Sequence, residues 1–266
     1  MPRLNRSDAE RRLVEDSGPD FLEALARGLR VIEAFNRERR QLTLSDVARV
    51  VDLPRASVRR TLATLVRLGY AETDDRLFRL TPRILSLAGA YLSSNAISGI
   101  LQPAVERLSE DVDEACSAAV RDGDDVIMIA HATRRRVIDV SAQIGFRLPA
   151  FATSLGRVLL AALDDAALDQ FLAHATPRKL TPMTTVDKRT LRKAILRARA
   201  DGFSYVDQEA EVGFRSISVP LRRLDGRVVG SLNIGAQSER CPAKTMQSVF
   251  LPKLRETAER LRQQLV

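Results

Sequence analysis

The sequence predicts an α+β fold in two parts: a small, mostly helical head closed by a β-hairpin, then an apolar connecting helix and a larger domain on a mostly antiparallel sheet. Three observations carry this expectation. Apolar residues recur at three- and four-residue spacing from Phe21 to Leu68, interrupted by the charged turn Asn36 to Gln41 and one proline break. Residues 83–92 form a helix that is apolar on nearly every side. Beyond residue 96, short apolar runs flank Asp-Gly turns at Asp122-Gly123 and Asp225-Gly226, with helical stretches inserted between and after them.

The bulk properties bound the function. A chain of 266 residues is long enough for two domains with their own cores. Hydrophobic content of 45% and charged content of 29% are those of a soluble globular protein. No apolar run nears the ~20 residues of a membrane span. The opening MPRLNRSDAERRLVEDSGPD lacks the apolar stretch of a secretory signal. The expected setting is therefore cytoplasmic, without a membrane partner. Two cysteines, Cys116 and Cys241, and two histidines offer neither a disulfide framework nor a metal-ligand cluster, so no metal or cofactor is expected. The net charge of +8 favours a polyanionic partner.

Residues 1–19 are polar, charged and aperiodic, and read as a mobile tail. The head spans residues 20–80. Asp20 and Glu23 have capping-box spacing ahead of an amphipathic helix with Phe21, Leu25, Leu29, Ile32 and Phe35 on one face. Thr43 and Asp46 repeat that spacing before Leu44, Val47, Ala48 and Val51. Asp52-Leu53-Pro54 ends this second helix, because proline disfavours helical geometry in the residue before it and suits the first turn of the next. A third helix then runs from about Pro54 to Leu68. Val58, Thr61, Leu62 and Leu65 form its inner face.

The outer face carries Arg55, Arg59, Arg60 and Arg67 and no acid. A basic helix that follows a tight turn is what a helix-turn-helix places in a DNA major groove. Ala56, Ser57, Arg59 and Arg60 stand in the turns that reach base edges, where arginine suits guanine. Arg55 and Arg67 are placed for phosphate. Most charge runs are solvated helix faces. Here the capped preceding helix, the proline turn and the following hairpin argue for DNA. Gly69 closes the helix, and residues 70–73 and 76–80 pair as a wing from which Arg76 and Arg79 could reach phosphates.

Thr81-Pro82 opens the apolar helix of the linker, residues 81–95. A helix apolar on nearly all sides demands cover, and the same helix of a second chain would supply it. The remaining domain, 96–266, starts with a helix over Leu101–Val112. A hairpin of Cys116–Val120 with Val126–Ala130 follows, then Arg134-Arg135-Arg136, which reads as a solvated turn, and a third strand, Val137–Ser141. Helices follow at Ser154–Leu163, Ala166–Ala173 and from Asp187 to Gly202. Phe203–Val206 is a strand, and Ser216–Leu221 pairs with Arg227–Ile234. A closing helix from Ala243 carries Met246, Phe250, Leu254, Ala258, Leu261 and Leu265 on one face.

One stretch in this domain carries chemistry. Ala152-Thr153-Ser154-Leu155-Gly156 falls one residue short of the G-x-S-x-G nucleophile elbow. That elbow also needs a histidine after the acid. His131 and His174 both precede Asp207, so an esterase-like enzyme is the remote alternative. A loop that opens a helix at Thr153-Ser154 presents backbone N–H groups and the positive end of the helix dipole, which is an anion site. A small organic acid would dock there with Ser154 as hydroxyl donor. The plainer alternative makes Thr153 or Ser154 only a helix cap. Arg147 lies close enough in sequence to be a carboxylate partner.

These blocks together resemble the IclR family of bacterial transcriptional regulators over nearly the whole chain. DLPRASVRRTLATLVRLGY is similar to that family's recognition helix. GFRLPAFATSLGRVLLA, DGFSYVDQEAEVGFRSISVPL and GRVVGSLNIGAQ are similar to successive blocks of its effector domain. The first of these resembles the branch that controls aromatic-acid breakdown through the β-ketoadipate pathway. The resemblance implies a GAF-like ligand domain, a homodimer through the DNA-binding region and often a dimer of dimers. It implies double-stranded operator DNA and a small organic acid, aromatic or dicarboxylic, as ligands, with RNA polymerase a further candidate partner. Matched position by position, it assigns the effector site to Ser154, Leu155, Asp207, Ser216, Asn233 and Gly235. Ser216 stands where many relatives have cysteine, and Asn233 and Gly235 where serines are frequent. The alternative within the same class is a DNA-binding regulator whose second domain only oligomerises or binds a protein.

Overall fold

The structure is a computed structural model that describes residues 18, 20–36, 38–94, 96–133 and 144–265. The expected tail (but for Gly18), the Arg134-Arg135-Arg136 run and the expected strand Val137–Ser141 lie outside the described residues. The chain divides into two compact units, Met1–Tyr91 and Leu92–Val266.

In the first unit, helix α1 spans Glu23–Glu33. The capping box expected at its start does not form: Leu22 is the N-cap, without a side-chain bond, and Glu23 pairs with Arg27 one turn on. Thr43, at the end of the short strand β1 (Leu42–Thr43), does form the box with Asp46 and opens α2 (Leu44–Val51). Asp52 turns the chain in the left-handed region at φ 51°, and α3 follows over Arg55–Arg67. Val31, Val47, Val51, Val58, Leu62 and Leu65 meet in the core of this unit. Gly69, at φ 78°, lets Tyr70 N–H return to Leu65 O at 2.9 Å and stops α3. Strands β2 (Ala71–Thr73) and β3 (Leu77–Leu80) make the wing. β1 pairs on the outer side of β3, giving the order β1-β3-β2.

A 3₁₀ turn, Pro82–Ile84, leads into α4 (Leu85–Ser94). Its apolar residues stay largely exposed: Leu85 is 67% exposed and Leu87 48%.

The second unit begins with α5, Ala96–Val112, which starts well before the expected Leu101 and carries Pro103 inside it. A sheet of six strands follows: β4 (Ala115–Asp122), β5 (Asp125–Ala132), β6 (Arg147–Pro149), β7 (Ser204–Asp207), β8 (Phe214–Arg222) and β9 (Val228–Gln237). Their order is β6-β5-β4-β9-β8-β7, and every neighbouring pair is antiparallel. Between β6 and β7 come α6 (Ser154–Ala161), α7 (Asp165–His174) and α8 (Lys188–Asp201). The chain closes through Ala243–Thr245 and a π turn, Met246–Phe250, into α9 (Leu251–Arg262).

Strand alternation separates two chemistries. Ile217, Val219, Leu221, Leu232 and Ile234 pack on one face with Leu101 and Val105 of α5 and Leu254 of α9. On the other face, beneath α6, the same two strands place Ser216, Ser218, Ser231, Asn233 and Gly235. A row of small and polar residues on a buried face leaves room that a packed core would fill.

Candidate DNA interface and effector cavity

Helix α3 presents the expected cationic face. Arg55, Ala56, Arg59, Arg60 and Arg67 are exposed and Ser57 is half-buried. Among the described residues, no acid pairs with any of the four arginines. Two other arginines of the head differ: Arg49 pairs with Asp46 and Arg79 with Glu72 at 2.6 Å. Arg79 is therefore already neutralised, whereas Arg76 stands exposed at the hairpin turn. Ser57 and Arg60 also border an apolar groove of about 470 Å³ between α1 and α3, lined by Leu25, Leu29 and Leu68. Arg59 stands clear of it.

The second unit holds a recessed cavity of about 340 Å³ between the polar sheet face and the start of α6. Its floor and one end are polar: Ser117, His131, Thr153, Ser154, Ser216 and Asn233. Its walls are apolar, with Met128, Phe146, Leu148, Leu155, Val206 and Phe214. Gly235 shapes the floor, since a Cβ there would lie 2.3 Å from the Phe214 ring. Gly156 allows α6 its close approach, since a Cβ there would lie 2.2 Å from the carbonyl oxygen of Ala150.

Around the start of α6, the roles differ from those expected. The Thr153 hydroxyl accepts from Gly156 N–H at 3.0 Å, so this residue is the helix cap. Ser154 Oγ is bonded to Ser216 Oγ at 2.7 Å, Ser218 Oγ at 2.8 Å and Asn233 Nδ2 at 3.2 Å. A hydroxyl has one proton and two lone pairs. Those three bonds occupy them all, so Ser154 orders the cluster instead of donating to a ligand. The first-turn N–H groups that the Thr153 cap does not take belong to Ser154 and Leu155, which both line the cavity.

Two expected members lie elsewhere. Val206 faces the cavity, so Asp207, its neighbour along β7, faces the opposite side of the sheet. There it lies 3.2 Å from Arg215 Nε and accepts from Tyr205 Oη at 2.9 Å. Burial, aided by Asp207, pushes the Tyr205 hydroxyl up to about 12. Alternation acts likewise on β6: Phe146 and Leu148 line the cavity while Arg147 points out to Asp122 and Asp125, at 2.7 and 3.2 Å.

Ser117, His131 and Ser218 escaped the sequence reading, although for Ser218 the small polar residues alternating with apolar ones along β8 and β9 were a visible signal. Ser117 Oγ and His131 Nδ1 are 3.0 Å apart. Arg157 of α6 was also missed. Nearly buried, it makes a two-pronged bond to Glu209 at 2.7 and 2.8 Å and donates to Phe151 O. Glu209 in turn accepts from Thr185 N–H. This pair ties α6 to the β7–β8 connection, from which Ala210 and Glu211 border the cavity. Burial pushes the Cys116 thiol well above its ordinary range, so it is a packing residue and no nucleophile.

A capped helix-turn-helix with an acid-free recognition helix, followed by this cavity domain, matches two family models. The IclR helix-turn-helix domain covers residues 24–75, and the C-terminal domain of the bacterial transcriptional regulator IclR covers residues 89–263. The chain belongs to the IclR family. It is 41% identical over 265 residues to the Pca regulon regulatory protein of Pseudomonas putida, covering 99% of this chain and 91% of that one. The structure of a transcriptional regulator from Rhodococcus sp. RHA1 superposes with a TM-score of 0.80 at 43% identity, covering 92% and 98% of the two chains. An IclR homologue from Microbacterium hydrocarbonoxydans, solved in complex with 4-hydroxybenzoate, superposes with a TM-score of 0.73 at 28% identity, covering 89% and 96%. The protein is thus an IclR-type DNA-binding transcriptional regulator.

Proposed function

We propose that this regulator controls a catabolic operon in response to a small aromatic carboxylic acid held in the cavity beneath α6. The carrying observation is the cavity itself: about 340 Å³, apolar walls, and donors gathered at the N-terminus of a helix. The volume suits a single ring. The walls favour an aromatic acid over a dicarboxylate, and the 4-hydroxybenzoate complex of a relative supports the same class. The carboxylate would accept from the N–H groups of Ser154 and Leu155 and from the Ser216 hydroxyl, with Asn233 beside them. Leu155 and the Phe214 ring above Gly235 would cover the ligand's ring. No step is enzymatic: the hydrogen bonds of Ser154 go to hydroxyls and an amide, and its role is to hold Ser216 and Asn233.

At the DNA, Arg59, Arg60, Ser57 and Ala56 would read base edges, while Arg55, Arg67 and Arg76 would contact phosphate. The exposed apolar α4 supports a homodimer, and a two-fold dimer requires an operator with two half-sites. Ligand binding would shift the population of dimer arrangements and so the spacing of the two α3 helices. Isothermal titration with 4-hydroxybenzoate, joined to operator binding with and without it, tests this. Saturable binding that alters operator affinity or DNA geometry supports the proposal, and the absence of any aromatic-acid binding overturns it. A domain that only oligomerises would give that second result.

A further inference from the structure

The hydrogen-bond cluster beneath α6 has a direction, and that direction sets what the cavity floor offers a ligand. Ser218 is fully buried, and among the described residues the one acceptor for its proton is Ser154 Oγ at 2.8 Å. A buried O–H without an acceptor costs more than a matched bond gains, so Ser218 donates to Ser154. The Asn233 amide donates to the same oxygen at 3.2 Å. With both lone pairs taken, Ser154 passes its own proton to Ser216 Oγ at 2.7 Å. The Ser216 proton is then left without a described acceptor, and Ser216 lines the cavity. The floor therefore presents one outward O–H.

Asn233 supplies the opposite polarity. Its Nδ2 lies 3.4 Å from Ile217 O and 3.3 Å from Ile234 O. Carbonyl oxygens only accept, so the nitrogen of the amide belongs on that side. No described donor reaches the Asn233 Oδ1, and that oxygen is not sealed within the protein. Asn233 is 6% exposed and lines the cavity, so its open acceptor faces the space a ligand would fill. Ser216 and Asn233 are both bonded to Ser154 Oγ, which holds the outward donor and the outward acceptor side by side at the start of α6.

Resting on the effector reading above, we propose that Asn233 is a specificity residue, so that the cavity selects aromatic acids with an amine or hydroxyl on the ring carbon next to the one bearing the carboxylate. The carboxylate accepts from Ser216, and the neighbouring N–H or O–H donates to Asn233 Oδ1. An amine suits the couple best. Its two protons serve the ligand's own carboxylate and Asn233 together, whereas a hydroxyl has one proton to divide between them. A ring without such a group covers Oδ1 with a C–H edge, and a covered, unmatched acceptor is costly.

The test is calorimetric titration of the full-length protein with benzoate, 2-aminobenzoate and 2-methylbenzoate, the last matching the amine in size but offering no proton. The wild type is expected to bind 2-aminobenzoate roughly fivefold or more tightly than either of the others. In Asn233→Leu that ratio should fall to within about twofold of one. Ser216→Ala should weaken all three acids and keep the ratio. A wild type without preference among the three overturns the proposal and leaves the effector reading standing, and this arm needs no variant to fold. An Asn233→Leu protein that loses affinity for all three acids while keeping their ratio also overturns it, because a purely structural role does that. If none of the three binds while 4-hydroxybenzoate does, the proposal falls alone. If no aromatic acid binds, both readings fall.

Discussion

The outer face of α3 and the floor of the cavity use polar side chains in opposite ways. On α3 the arginines are exposed, and among the described residues they lack acidic partners. Their interaction energy is reserved for something outside the chain. In the cavity, Ser154, Ser216, Ser218 and Asn233 are buried and bonded to one another, and Arg157 is locked to Glu209. There the same kind of group builds the shape of the site. A change on α3 should therefore alter function without altering stability, while a change beneath α6 should alter stability first.

The largest expected effect would come from Arg157→Met. It leaves the Glu209 carboxylate nearly buried with Thr185 N–H as its one remaining described donor. Removing one partner of a buried pair costs about 3–5 kcal/mol, which urea unfolding would read. A change below 1 kcal/mol would erase the contrast between the two regions. Next comes Arg59→Ala or Arg60→Ala, with operator affinity reduced by about 1–3 kcal/mol and discrimination between operator bases relaxed. The unfolding midpoint should stay put. Because Arg60 borders the α1–α3 groove and Arg59 does not, an effect confined to Arg59 would sharpen the reading face to that side. Arg67→Ala should instead weaken all sequences alike and lower the salt-dependence slope by about one.

Within the head, Thr43→Ala removes the cap of α2 and should cost about 1 kcal/mol in the same unfolding assay. Its pH dependence has a definite sign. Bonds from Thr43 hold the Asp46 carboxyl below its ordinary value of 3.8. A depressed carboxyl stabilises the fold above the unfolded value and loses that contribution as pH falls through its folded one. Thr43→Ala should therefore flatten the acid limb of the stability curve. The smallest effect belongs to Arg79→Ala. Its pairing with Glu72 is fully exposed, and unfolding should not register its loss.

Legibility in the sequence follows the same division. Periodicity marks a helix face directly, so the buried and exposed sides of α3, the Thr43–Asp46 box and the helix ends at Asp52, Gly69 and Gly202 could be read from the chain, while the left-handed turn of Asp52 came from the structure. Ser216, Asn233 and Gly235 came from resemblance, and they do meet. Asp207 and Arg147 did not join them. Both sit one residue from a cavity-lining neighbour, and a strand turns every second side chain away. Closeness in sequence therefore says nothing about sharing a face.

The sequence by itself determined the order of the parts, the acid-free recognition helix and the apolar linker, because each rests on residues a few positions apart. The tertiary structure decided the cavity. Only the register of β4, β5, β8 and β9 brings His131, Ser117, Asn233 and Ser218 into one line. Only the approach of α6 across that line turns Ser154 from a candidate ligand donor into the hub of a buried cluster. Residues more than a hundred positions apart are brought to one cavity through hydrogen-bond register, and no local pattern encodes that.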